Sequence, residues 1–131
     1  MNQQYRHTKH SVSLMNFHFV WIPRRRRKVL VNEVATRLEE IIKDVAAELT
    51  LNVLAMEIMP DHVHLFVSCP PNIAADQIMF RIKGRSSRIL RQEFPHLLKM
   101  PSMWTRSYFV STAGNVSEET IKRYIAEQKK D

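Results

Sequence analysis

Cysteine, glycine and uninterrupted apolar sequence are all scarce in this chain of 131 residues, which has one cysteine and two glycines. The lone thiol, Cys69, rules out an internal disulfide, argues against a Cys-x-x-Cys metal site and fits a reducing compartment. The glycine- and aromatic-rich pattern with which RNA-binding sheets read single strands is missing. The longest apolar stretch, Phe17 to Pro23, is interrupted by His18 and falls far short of the roughly 20 residues of a spanning helix. The opening Met1-Asn2-Gln3-Gln4 lacks the basic-then-apolar layout of a signal peptide, so a cytoplasmic protein is expected. Acidic residues are also in deficit. Thirteen Asp and Glu against twenty Lys and Arg leave a net charge of +7, which points to a polyanionic partner; with no membrane segment in view, nucleic acid is favoured over an acidic lipid surface. The length suits one domain with one core, residues 1–131.

Residues 1 to 9 are polar and read as loose. Ser11 to Ile22 is rich in β-branched and aromatic residues and stops at Pro23, which predicts a central strand. Arg24-Arg25-Arg26-Arg27-Lys28 follows at once, a solvated loop or a phosphate-binding run. From Asn32 to Leu49, Val34, Leu38, Ile41, Ile42, Val45 and Leu49 recur at helical spacing. Leu51 to Met59 alternates, with Val53, Ala55 and Glu57 on one side and Leu54, Met56 and Ile58 on the other. Pro60-Asp61 turns this strand into the next, which ends at Pro70-Pro71. A second helix is predicted from about Ile73 to Phe94 with Asn72 as cap, Ile78, Ile82, Ile89, Leu90 and Phe94 inward, and Arg81, Arg85, Arg88 and Gln92 on another face. Its tract Lys83-Gly84-Arg85-Ser86-Ser87-Arg88 is basic, small and hydroxylic. It reads either as an ordinary exposed face or as a place where a sugar-phosphate backbone comes close, making Lys83, Arg85 and Arg88 candidate DNA contacts beside the run Arg24 to Lys28.

Met103 to Thr112 reads as a last strand or strand pair, with Trp104 and Tyr108 as core residues or base-stacking platforms. Gly114-Asn115 turns the chain, and Ser117 caps a terminal helix that carries Glu118 and Glu119 in its first turn. The order β-α-β-β-α-β plus a helix predicts an α+β fold of the ferredoxin-like, split β-α-β kind: a four-stranded antiparallel sheet with helices on one face.

The chemistry concentrates in Ile58-Met59-Pro60-Asp61-His62-Val63-His64-Leu65. Residues two apart on a strand share a face, so His62 and His64 project together while Val63 and Leu65 enter the core. Two imidazoles hold a metal firmly only with a third ligand. Glu57, on the neighbouring strand, is one candidate; Asp61 is a turn former, a partner to a histidine, or both. On the terminal helix, Tyr124 and Gln128 are four apart and lie on one face, although Ile121, Tyr124, Ile125 and Gln128 also describe a packing stripe.

Taken together, Phe17-His18-Phe19-Val20-Trp21 before a basic run, Met59 to Leu65, Lys83-Gly84 followed by hydroxyls, Trp104 ahead of Tyr108, and Tyr124 through Gln128 resemble the single-tyrosine HUH transposases, the transposase A proteins of the IS two-hundred/six-oh-five insertion-sequence group. The resemblance implies a DNA transesterase acting on single strands, with His62, His64 and Gln128 as metal ligands and Tyr124 as nucleophile. It also implies a 5′-phosphotyrosine intermediate, recognition of hairpins at element ends, and a homodimer in which the catalytic helix of one subunit completes the site of the other. Mg²⁺ or Mn²⁺ suits the hard phosphate oxygens of the substrate, while two imidazoles remain compatible with Zn²⁺. The rival readings are a domesticated nickase acting on chromosomal hairpins and a non-catalytic nucleic-acid-binding module.

Overall fold

The computed structural model describes residues 6–7, 12–13, 15–112 and 118–127. Its first elements are two short strands, β1 (Arg6–His7) and β2 (Val12–Ser13), paired antiparallel. The stretch expected to be one strand from Ser11 to Ile22 is therefore divided. Val12–Ser13 pairs with β1, whereas β3 (Met15–Trp21) pairs with the histidine strand, and residue composition alone does not reveal such a change of partner.

The remaining elements are α1 (Asn32–Glu48), β4 (Asn52–Met59), β5 (His62–Cys69), α2 (Ala75–Glu93), β6 (Phe109–Ser111) and α3 (Glu118–Glu127). The main sheet has the order β4-β5-β3-β6 with every neighbouring pair antiparallel, the split β-α-β arrangement expected from the element order. Alternation decides what each face does. Phe17, Phe19 and Trp21 of β3 and Val63, Leu65 and Val67 of β5 point to one face and are buried with Val34, Leu38, Ile41, Ile42 and Val45 of α1 and Ile78, Met79, Ile82 and Leu90 of α2. Val20 and Ile22 point to the other face, where they pack with Ile125 of α3. The two crossover helices thus share one face and the terminal helix covers part of the opposite one.

The two crossover helices run antiparallel, as their ion pairs show: Arg37 early in α1 reaches Glu93 at the end of α2, at 2.9 Å, and Glu48 at the end of α1 meets Arg81 and Arg85 nearer the start of α2. Arg85 and then Arg81 hold the Glu48 carboxyl down at about 2.

Three local expectations are corrected. Between Val53 and Ala55 the register slips, so Val53 opposes Val67 and joins the helix-side core while Ala55 and Glu57 face the other way; a bulge breaks the simple alternation. Asn72 does not cap α2. Ile73 packs against the core, Ala74 stays extended as the N-cap, and Gln77 Oε1 accepts from the Ala74 N–H at 2.8 Å. Finally, only Phe109–Ser111 of the expected last strand is in the sheet. Met103 and Trp104 are core, and Trp104 lies edge-on to Trp21, its Nε1–H donating to Ser86 Oγ at 3.0 Å, which removes it as a base-stacking platform. The expected turn at Gly114-Asn115 and cap at Ser117 lie outside the described residues. Among the described residues no helix is long and apolar enough to cross a membrane.

Candidate active site

Pro60 and Asp61 form a two-residue turn between β4 and β5, and the Pro60 carbonyl accepts from the Leu30 N–H at 3.0 Å, tying the turn to the segment before α1. His62 and His64 leave the sheet on the face away from α1 and α2. Their ring centroids are 4.9 Å apart and steeply inclined, so the two imidazoles form a claw on a rigid strand.

His62 has a defined orientation. Its Nδ1 lies 2.8 Å from Asp61 Oδ1, and because a carboxylate only accepts, Nδ1 is the donor; in the neutral ring this tautomer leaves the Nε2 lone pair for a metal. Asp61 Oδ2 in turn faces Arg26 Nε at 3.5 Å. This gives Asp61 both of its sequence-level roles, turn former and partner to a histidine. Arg25 and Arg26 adopt left-handed backbone angles, φ 58° and 54°, and the sharp bend after Pro23 that they make brings Arg26 to the carboxylate.

His64 is half-buried, and its pKa lies below the ordinary 6.5 because of burial first, then the nearby His62 and His18, with Glu57 opposing. A neutral imidazole is what a metal requires. His18, which the sequence offered as a break in an apolar run and as a member of the motif Phe17-His18-Phe19-Val20-Trp21 but not as a site residue, is a third imidazole on this face. Its ring sits 5.7 Å from that of His64 and 5.9 Å from Phe66, and burial lowers its pKa too. The period-two placement of His18 with Val20 on a strand antiparallel to β5 was the available signal; the register that sets Val20 opposite His64 was not readable from the chain.

The same register extends across the whole sheet: Glu57, His64, Val20 and Phe109 stand side by side on β4, β5, β3 and β6. At about 4.8 Å per strand, Phe109 is about 10 Å from His64. On Phe109 rests Tyr124, ring centroids 6.1 Å apart, while Ile125 is buried against Val20 and Ile22. The Tyr124 hydroxyl is 3.3 Å from Ser107 Oγ. The chain therefore seats its terminal helix on its own sheet and brings the phenol to the face that bears the histidines. Gln128 lies outside the described residues. Among the described residues no three His, Cys, Asp or Glu side chains converge to hold a metal by themselves, so Glu57 does not complete such a set with the two histidines. The two imidazoles, His62 oriented by Asp61 and His64 with its pKa lowered by burial, fit two positions of a divalent-ion site that takes a further ligand from elsewhere.

The basic residues divide into two groups. Arg24 donates to Ser102 Oγ at 3.0 Å, Arg26 faces Asp61, Arg85 is paired with Glu48, and Lys83 donates to the carbonyls of Thr105 and Ser107. Arg25, Arg27, Lys28 and Arg88 are exposed.

Residues 11–128 match a family model described as transposase, IS200 like. The ISDra2 transposase TnpA of Deinococcus radiodurans is 36% identical over 117 residues, covering 87% of this chain and 84% of that protein. The transposase for insertion sequence element IS200 of Salmonella typhimurium is 28% identical over 115 residues, covering 86% of this chain and 75% of that one. A crystal structure of a Deinococcus radiodurans protein described as a transposase superposes with a TM-score of 0.83 at 35% identity, over 94% of this chain and 97% of the other. The structure of a REP-associated tyrosine transposase bound to a REP hairpin shares the fold, with a TM-score of 0.57 at 15% identity over 92% of this chain and 67% of that one.

Proposed function

The chain belongs to the IS200-like transposase family, and from that premise we propose that it cleaves and rejoins single-stranded DNA by transesterification through Tyr124, with metal ligands His62, His64 and Gln128. The observation that carries the reading is the placement of Tyr124 and the histidine claw on one sheet face, linked by the row His64, Val20, Phe109.

Asp61 holds His62 with Nε2 free, burial keeps His64 uncharged, and α3 carries the phenol above β6. The chemistry that a divalent ion, Mg²⁺ or Mn²⁺, supplies in such a place is charge neutralisation at a phosphate oxygen and stabilisation of the leaving 3′ oxygen. Tyr124 oxygen attacks the phosphorus as its proton passes to solvent. The P–O3′ bond breaks, the 3′ oxygen takes up a proton, and the downstream strand stays on the enzyme as a 5′-phosphotyrosine. One phosphodiester replaces another, so a 3′ hydroxyl can reverse the step and join strands without ATP. Ser107, 3.3 Å from the phenol, holds the nucleophile at the edge of the sheet before attack.

The exposed cations Arg25, Arg27 and Lys28 bind phosphates of the DNA without regard to sequence. The substrate carries hairpins at its ends, and two copies of the chain work as a homodimer in which α3 exchanges its own sheet for the partner's.

The test is nicking of a 5′-labelled single-stranded oligonucleotide with added Mn²⁺. A labelled fragment ending in a 3′ hydroxyl and a covalent protein adduct on the downstream strand are expected, both lost in Tyr124→Phe while DNA binding remains. An adduct that survives in Tyr124→Phe overturns the assignment of the nucleophile, and a protein that binds DNA without ever cutting it is a binding module.

A further inference from the structure

The two imidazoles of the proposed metal site are held in different ways. His62 is tied by its hydrogen bond to Asp61. His64 has no such tie: among the described residues neither of its ring nitrogens meets a hydrogen-bond partner. Its direct neighbours across the sheet do not supply one. Val20 on β3 is apolar, and Glu57 on β4 is exposed.

What His64 does touch is rings. Its centroid lies 4.9 Å from that of His62, on the side of the turn, and 5.7 Å from that of His18, on the other. A side chain with a ring on each side is confined to one rotamer, because turning about Cα–Cβ drives it into one neighbour or the other.

His18 is itself firmly placed. It lies on β3, an inner strand paired with β5 and with β6, and Phe17 and Phe19, buried on the helix-covered face, fix the pleat that turns His18 toward the histidine face. Directly opposite it on β5 is Phe66, with ring centroids 5.9 Å apart. Since Val20 is the residue opposite His64, the His18 ring meets His64 along the cross-strand diagonal that aromatic side chains can span. Phe66 thus backs one side of the His18 ring, and His64 rests against another. His18 does not stand as a third ligand, because no three His, Cys, Asp or Glu side chains converge among the described residues.

We infer that His18 is a positioning residue: its ring, backed by Phe66, closes a slot that holds His64 in the rotamer seen beside His62. The inference rests on the reading of His62 and His64 as metal ligands. Asp61 and His18 then divide one task. A carboxylate fixes the tautomer and rotation of one imidazole, and a ring fixes the rotation of the other, so the claw is formed before any ion arrives and binding need not order His64. An imidazole suits the wall because the position is half-buried, on a face that DNA would cover, where a flat ring with polar atoms on its edge tolerates both packing and water.

Mn²⁺ titration of the full chain, followed by the free-ion EPR signal, tests this with His18→Ala and His18→Phe. Opening the slot with alanine should weaken Mn²⁺ binding by roughly 10-fold, the lower end of what loss of a group behind a metal ligand costs. Phenylalanine restores a flat ring but no nitrogen and should bind Mn²⁺ close to wild type. In the metal-free protein, the NMR Hα–Hβ couplings of His64 should report a single rotamer in wild type and His18→Phe and an average in His18→Ala, while those of His62 stay unchanged. Where His18→Ala does not fold, Phe66→Ala leaves the imidazole in place but without its backing and should show the same averaging at His64. Equal Mn²⁺ affinity in wild type and His18→Ala, or unaltered His64 couplings, overturns the inference. Equal loss of affinity in His18→Ala and His18→Phe overturns it too, since His18 would then give a nitrogen to the ion. Absence of Mn²⁺ binding in the wild-type protein overturns instead the reading of His62 and His64 as ligands, a failure that the couplings of the metal-free protein keep distinct.

Discussion

Removing the Asp61 carboxylate should loosen the metal far more than removing the arginine behind it. Asp61 accepts from His62 Nδ1 at 2.8 Å, and both side chains are about four-fifths shielded, with 20% and 18% of their surface exposed. Without that acceptor, the imidazole is free to rotate and to place its proton on either nitrogen, and every state with Nε2 protonated or turned away is lost to the metal. Loss of such a partner costs about 10- to 100-fold in affinity, or about 1.4 to 2.7 kcal/mol. Arg26 stands further off, at 3.5 Å, with 32% of its side chain exposed. An ion pair of that kind contributes about 0 to 1 kcal/mol, so Arg26→Ala should cost at most about fivefold. Mn²⁺ titration followed by the loss of the free-ion EPR signal measures both variants directly and without reference to cleavage. Asp61→Asn, which can still present an oxygen to Nδ1, should fall between wild type and Asp61→Ala. Equal Mn²⁺ affinity in wild type and Asp61→Ala would refute the orienting role. An Arg26→Ala loss as large as that of Asp61→Ala would show that charge at the loop, and not the tautomer of His62, governs the site.

Stability should decline as pH falls below about 6.5, because the unfolded chain takes up protons on His18 and His64 where the folded chain, with both pKa values lowered by burial, does not; thermal melts of His18→Gln and His64→Gln should each show a shallower decline, and an unchanged profile in both would contradict the buried, neutral state. Ile125→Ala removes a buried α3 side chain that packs with Val20 and Ile22 and should cost the dock about 2 kcal/mol, raising hydrogen exchange in 118–127 and lowering cleavage while the melting of the sheet stays close to wild type. Replacing Arg25, Arg27 and Lys28 by Ala should lower the salt slope of DNA binding by about one for each phosphate no longer neutralised, whereas Arg24→Ala, which breaks a bond to Ser102, should act more on stability.

The fold was legible because its signals are local and repeated. Helical spacing in α1 and period-two alternation in β5 each recur over several turns or pairs, and Pro60-Asp61 is an unambiguous place to reverse direction. What escaped was set by tertiary partners. His18 becomes part of the site only through a register that puts Val20 beside His64, and the choice left open for Trp104, core or base platform, falls to core where Ser86 of α2 accepts its N–H. The basic tracts show the same limit. Arg24 to Lys28 and Lys83 to Arg88 read as uniform runs of charge, yet Arg24, Arg26, Lys83 and Arg85 are held by groups distant in sequence, and only the others are left facing outward. A run of like residues carries no information about which members meet an acceptor, because that depends on elements that arrive from elsewhere in the chain.

The way α3 is held bears on how a cut strand is rejoined. Among the described residues its hold on the sheet includes Ile125 among Val20 and Ile22, the Tyr124 ring on Phe109, and the 3.3 Å contact between the phenol and Ser107 Oγ. Burying one isoleucine side chain contributes about 1.5 to 3 kcal/mol, and an aromatic pair adds about 0.5 to 1.5. The histidine claw rests on separate contacts, the β3 to β5 pairing that runs through seven residues. In the proposed reaction, the strand held on Tyr124 has to be presented to a different 3′ hydroxyl from the one just released. A nucleophile on a terminal helix that is not itself part of the four-stranded sheet can carry its DNA away from the histidine face and return it, either to the same sheet or to a partner's, while the claw stays fixed on β5. Mixing Tyr124→Phe with His64→Ala protein separates these two destinations: heterodimers with α3 exchanged contain one complete site and recover cleavage, whereas heterodimers with each helix on its own sheet contain none. Recovery in the mixture is the expected outcome, and demonstrable heterodimers that remain inactive would confine the helix to its own sheet.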